Sequence, residues 1–167
     1  IPSFTGNALP GIRQLRNRWF DALSLAATVA ALLMVLLAAP VAPTVSACIT
    51  AAALQAGRLA GWNPWAARKQ ALLWVLHLSY AWIPIGLVLL AFGVAGRLPM
   101  SAGIHALTLG AIGGLIIGMI TRTALGHTAR PLKAGRIEVA AYLLVQAAVL
   151  IRLAPIVFSG LAYLWWT

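Results

Sequence analysis

Long apolar stretches alternate along the chain with short polar breaks. A helix needs about 17–25 mostly apolar residues to cross a bilayer, and five runs approach or meet that length. The first spans Trp19 to Ala39 and stops at the breaker Pro40-Val-Ala-Pro43. The second runs from Thr44 to Ala60. The third, after the polar stretch Gly61 to Lys69, covers Gln70 to Val94. The fourth occupies Ala102 to Thr123 and the fifth Ile137 to Ile156, while Gly160 to Thr167 opens a sixth. The pattern predicts an all-α integral membrane protein. It is read as one polytopic helical bundle over residues 1–167, with five complete transmembrane helices and the start of a sixth. No repeat, low-complexity tract or second soluble domain interrupts it. A chain that opens at Ile1 and ends within a starting helix reads as a piece of a longer one.

Composition makes the solvent explicit. Of 167 residues, 62% are hydrophobic and 8% charged, and the mean hydropathy is +0.95. Soluble domains carry about a quarter charged residues, so lipid has to cover much of this surface. Twelve Lys and Arg face only two carboxylates, Asp21 and Glu138, for a net charge of +10. Assigning alternate loops to opposite sides puts Arg13, Arg16, Arg18, Arg58, Arg68, Lys69, Arg122, Arg130, Lys133 and Arg136 together. Only Arg97 and Arg152 fall on the other side. That asymmetry predicts a cytoplasmic location for residues 1–18 and for the 124–136 loop. It also argues against nucleic acid, because no basic face with interleaved aromatics exists outside the spans. Trp19, Trp62, Trp65, Trp165 and Trp166 fit interfacial belts. The lone Cys48 cannot close an intramolecular disulfide and reads as a small packed hydrophobe.

Each span keeps its few polar residues on one face: Asp21, Ser24 and Thr28 in the first, Thr44, Cys48, Gln55 and Arg58 in the second. Gln70, His77, Tyr80 and Pro84 follow in the third, and Glu138, Tyr142 and Gln146 in the fifth. Such stripes turn inward, either as hydrogen bonds between helices or as the lining of a cofactor or substrate cavity. The fourth span instead repeats Ala106, Gly110, Gly114 and Gly118, a small-residue seam for close backbone approach. A flat cofactor lying on the glycines is the alternative.

Intramembrane histidines are functional hypotheses by default, and neutral imidazole is a common ligand of iron and copper. His77 and His105 are therefore the candidate metal ligands, against the alternative of hydrogen bonds to a neighbouring helix. His77 lies roughly 10 Å into an outward-running helix at 1.5 Å per residue, and His105 lies near the outer end of the next. The two differ in depth by roughly 15 Å in a core about 30 Å thick, which points to separate centres. Tyr80, one turn from His77, is a candidate for a supporting contact. His127 sits in a loop between Arg122 and Arg130, whose planar forks suit carboxylates such as haem propionates. Met34, Met100 and Met119 read as packing. No nucleophile elbow, phosphate loop or HExxH or CxxC motif appears.

Four ordered strings carry a resemblance. Ile1-Pro-Ser-Phe-Thr-Gly-Asn-Ala-Leu9, Trp62-Asn-Pro-Trp65, His105-Ala-Leu-Thr-Leu-Gly-Ala-Ile-Gly-Gly114 and Gly118-Met-Ile-Thr-Arg-Thr-Ala-Leu-Gly-His-Thr-Ala-Arg-Pro-Leu132 resemble the NnrS family. The resemblance covers essentially the whole chain. It implies the carboxy-terminal half of a twelve-span protein of the bacterial inner membrane, which carries haem and copper and takes part in the response to nitric oxide. The implied partners are the lipid bilayer, the amino-terminal half of the same protein, and nitric oxide or a related small ligand. Two positions depart from the family pattern, which usually has Arg where Gly6 stands and often Gly where Ala129 stands. A transporter or permease-like bundle without a redox metal, and a purely structural membrane subunit, are the competing expectations.

Overall fold

A computed structural model of the chain describes residues 1–15 and 17–165, the side chains of 157 and 159–165 excepted. Arg16, Trp166 and Thr167 lie outside it, as does the Trp165 side chain. Those expectations about the basic loop and the interfacial belt therefore fall outside the described residues. So do the side chains of the anticipated sixth span.

The described residues form six helices and no strand. A short helix α1 (Pro2–Ala8) precedes α2 (Arg18–Leu36) and α3 (Val41–Gly61). After a 3₁₀ turn (Ala66–Lys69) come α4 (Ala71–Val94), α5 (Met100–His127) and α6 (Arg136–Trp165). Local chemistry sets the boundaries. The Asn17 side chain accepts hydrogen bonds from the Trp19 and Phe20 amides, which caps α2. Ala38 ends α2 at φ 49°, a left-handed stop before Pro40. Gly96, at φ 71°, closes α4 before Pro99 opens α5. The fifth apolar run and the first residues of the expected sixth are one helix, α6, with Pro155 inside it.

Four helices, α2, α4, α5 and α6, are long and apolar enough to cross a membrane by length and composition. Helix α3 is also long, at 21 residues, but its Thr, Ser, Gln and Arg residues dilute its apolar character. It packs between α2 and α4. Helix α4 is the central element: 56% of its most apolar window is buried, against 11% for α2, which leaves α2 on the periphery. Three apolar clusters hold the bundle. Ala31, Cys48 and Ala51 meet Leu87 and Leu90 across α2, α3 and α4. Trp82, Ala106 and Val149 join α4, α5 and α6. At the end where α4 begins, Leu72, Leu76 and Tyr142 receive Phe4 of α1 and Ile1, which precedes it.

Helix α5 contains an irregularity that the sequence pattern does not foretell. Residues Ala106–Gly113 are wound as a π-helix, with i→i+5 hydrogen bonding, between α-helical flanks.

Candidate functional site

At the end of the bundle shared by the start of α2, the end of α3 and the start of α4, the polar stripes of three helices meet. Arg58 donates from Nε to Asp21 Oδ1 at 2.6 Å and from Nη1 to the Tyr80 hydroxyl at 3.2 Å. Tyr80 in turn donates to Gln55 Oε1. The Gln55 amide reaches Thr28 Oγ1 at 2.7 Å and the Ser24 carbonyl at 3.3 Å. Trp62 covers the cluster, its ring 4.6 Å from that of Tyr80 and 5.0 Å from the Arg58 guanidinium. Aromatic faces attract cations, so Arg58 is held by a carboxylate, a hydroxyl and an indole together. A 540 Å³ cavity lined by Phe20, Asp21, Gly57 and Arg58 opens beside it.

One turn of α4 from Tyr80, His77 is buried. Its Nδ1 lies 2.9 Å from the Leu73 carbonyl, which fixes the proton on Nδ1 and leaves Nε2 as the lone-pair nitrogen. Nε2 is buried without a hydrogen-bond partner among the described residues. A buried acceptor without a partner costs about 1–3 kcal/mol, so this atom is chemically unfinished.

The glycines of α5 lie against α4. A Cβ on Gly118 would stand 2.9 Å from Leu76 Cδ2. One on Gly110 would meet the Trp82 ring, and one on Gly114 the Ser79 hydroxyl. The room left at Gly114 admits a polar bridge in which Trp82 Nε1 donates to Gln146 Oε1 at 2.7 Å and Gln146 Nε2 donates to Ser79 Oγ at 3.3 Å.

The other residues singled out by sequence are dispersed. His105 is half-buried on α5, where its Nε2 accepts from Arg152 Nε of α6 at 3.2 Å. Arg122 lies over the Phe4 ring at 4.4 Å and shares a 360 Å³ groove with the exposed His127. Arg130 is exposed and does not line that groove. Tyr80 points its hydroxyl into the Arg58–Gln55 network, not toward a histidine.

Asp21, Gln55, Arg58 and Trp62 were legible as members of inward stripes or an interfacial belt, but not as one cluster. Their mutual approach spans 37 residues of sequence between Asp21 and Arg58. The available signal was charge: the first of only two carboxylates in the chain stands on the same side of the membrane pattern as Arg58.

The haem and copper implied by resemblance find a partial fit. His77 Nε2 is a suitable donor, yet no three His, Cys, Asp or Glu side chains converge among the described residues. No curated protein and no solved structure matches the chain. The family model described as NnrS protein matches residues 1–167. On that match over its whole length, the chain belongs to the NnrS family.

Proposed function

We propose that this chain is the carboxy-terminal half of a haem- and copper-binding protein of the bacterial inner membrane that takes part in the response or resistance to nitric oxide. Family membership supports the nitric-oxide role, and the apolar helices support the bilayer setting. The observation that carries the metal assignment is the buried, partnerless Nε2 of His77, with Nδ1 anchored on Leu73. Metal-binding histidines are commonly held this way, one nitrogen fixed by a carbonyl and the other offered to the metal. Bound there, a haem or copper ion would supply the redox and ligand-binding chemistry. His77 would orient it, and the apolar neighbours Leu73 and Leu76 would exclude water. His105 is the second candidate, although as a ligand it would first have to release Arg152. Arg122 and His127, facing one groove, are suited to a carboxylate such as a propionate.

Iron and copper counted per protein, together with an absorption spectrum of the intact protein, test this reading. His77→Ala is expected to lose a metal or a spectral band at unchanged folded yield. If His105→Ala loses a different one, the two histidines serve separate centres. Unchanged iron and copper in both variants removes this half of the protein from the metal chemistry. A colourless wild type containing no copper favours the permease-like or the purely structural reading.

A further inference from the structure

Arg152 stands out on the surface of α6. It is exposed, and its neighbours Leu150 and Ile151 are large exposed apolar residues, as are Ile104 and Ile112 on α5. A guanidinium on an apolar membrane surface is costly and needs an anion or the interface. Neither of the two side-chain carboxylates in this sequence serves it. Asp21 is taken by Arg58, and Glu138 lies fourteen residues back along the same helix, about 21 Å away at 1.5 Å per residue.

The depth of Arg152 identifies where the anion comes from. Arg152 lies sixteen residues beyond Arg136, the start of α6, or about 24 Å along a helix in a hydrocarbon core about 30 Å thick. His105 lies one turn from the start of α5. Both therefore stand toward the rim that also carries Arg97, from which a long arginine side chain reaches one leaflet's headgroups. The contact between them is directional: Nε of Arg152 is spent on His105 Nε2. The guanidinium is thus held through Nε, which leaves the end-on edge of its two terminal nitrogens to fork onto phosphate oxygens.

We infer that Arg152, positioned by His105, binds the phosphodiester of a phospholipid headgroup, with the acyl chains lying on the exposed apolar side chains of α5 and α6. The inference does not depend on a metal at His77.

The test is native mass spectrometry of the intact protein, delipidated in mild detergent. It is titrated with phosphatidylglycerol, with diacylglycerol of the same chains, and with inorganic phosphate. Wild type is expected to bind phosphatidylglycerol in preference to both other probes. Hydrogen bonds to charged groups contribute about 1.5–3 kcal/mol, so Arg152→Gln should weaken that binding by about tenfold to a hundredfold. Arg152→Lys keeps the charge but loses the fork, and should fall between; it also serves as the readout if Arg152→Gln does not fold. His105→Gln retains an acceptor and should bind better than His105→Ala, whereas Arg97→Gln should behave as wild type. Wild-type affinity in both Arg152 variants overturns the assignment. Equal binding of diacylglycerol overturns the phosphate contact, and equal binding of inorganic phosphate overturns the lipid. A polypeptide retained by wild type and lost from Arg152→Gln, with lipid binding unchanged, assigns the anion to a protein carboxylate instead.

Discussion

Asp21 and Arg58 show how much one residue's partner decides in a chain with so few charges. Their side chains are 28% and 16% exposed, between the surface regime, where a pair contributes about 0–1 kcal/mol, and the buried one, where removing one partner costs about 3–5 kcal/mol. Asp21→Ala leaves the Arg58 charge half-buried with only Tyr80 and the Trp62 face to stabilise it. A loss of about 1–3 kcal/mol is expected, read as a lower melting temperature of the detergent-solubilised protein. Asp21→Ala with Arg58→Leu should recover part of that loss, since the uncompensated charge is gone. A double variant less stable than Asp21→Ala alone would show that Arg58 holds Tyr80 and Gln55 without needing its carboxylate. Sequence could place each of these residues on an inward face, because helical periodicity reports direction. It could not pair them, because periodicity within one helix carries no information about which neighbour that face meets. The same limit hid the contact of His105 with Arg152, 47 residues apart.

At the scale of the helix, the ends of α2 and α4 were legible, whereas the end of α6 and the winding of α5 were not. Trp19–Ala39 was expected and Arg18–Leu36 is observed; Gln70–Val94 was expected and Ala71–Val94 is observed. Prolines, Gly96 and clustered charges interrupt helices through local sterics and solvation, which a sequence displays directly. The π-helical winding of Ala106–Gly113 has no such local marker, since it is set by how α5 packs on α4. The glycines there differ in what surrounds them, and so should their substitutions. Gly114 faces Ser79 and the Gln146 amide, both fixed by hydrogen bonds, whereas a Cβ on Gly126 meets nothing within 4 Å. Gly114→Leu should therefore lower folded yield and thermal stability sharply. Gly126→Ala should be neutral or stabilising by up to about 1 kcal/mol, the helix-propensity difference. Leu109→Ala, at a partly exposed position, should cost less than Gly114→Leu. Equal yields for Gly114→Leu and wild type would mean that α4 and α5 do not pack through this seam.

For the molecule as a whole, the argument runs through the two ends of the bundle. Hydrogen bonds and contacts gather the basic residues at one of them: Leu15 donates to the Gly61 carbonyl, Arg58 pairs with Asp21, and Arg122 lies on Phe4. The start of α4 and the Leu132–Ala134 loop line a common cavity there. The opposite end holds the Leu36–Val41 and Val94–Met100 turns, with Arg97 as its loop cation. The grouping by alternate loops thus has a geometric counterpart, because antiparallel helices joined by short turns return each loop to alternating sides. The positive-inside rule predicts that the basic end faces the cytoplasm. Single cysteines in a Cys48→Ala background test it, labelled by a membrane-impermeant thiol reagent in whole spheroplasts and in inverted vesicles. A cysteine at exposed Arg97 should label from the periplasmic side, and one at exposed Lys133 only from the cytoplasmic side. Helix α3 enters the same experiment. It is 21 residues long but not apolar enough to qualify as a span on composition alone, and it is covered on two sides by α2 and α4. If it crosses the bilayer, the Ala38–Pro40 turn must lie on the side of Arg97, and a cysteine at Ala38 must label with it. Labelling of Ala38→Cys from the same side as Lys133→Cys would mean that α2 and α3 do not both span the membrane, and the five-span reading of the chain would fail.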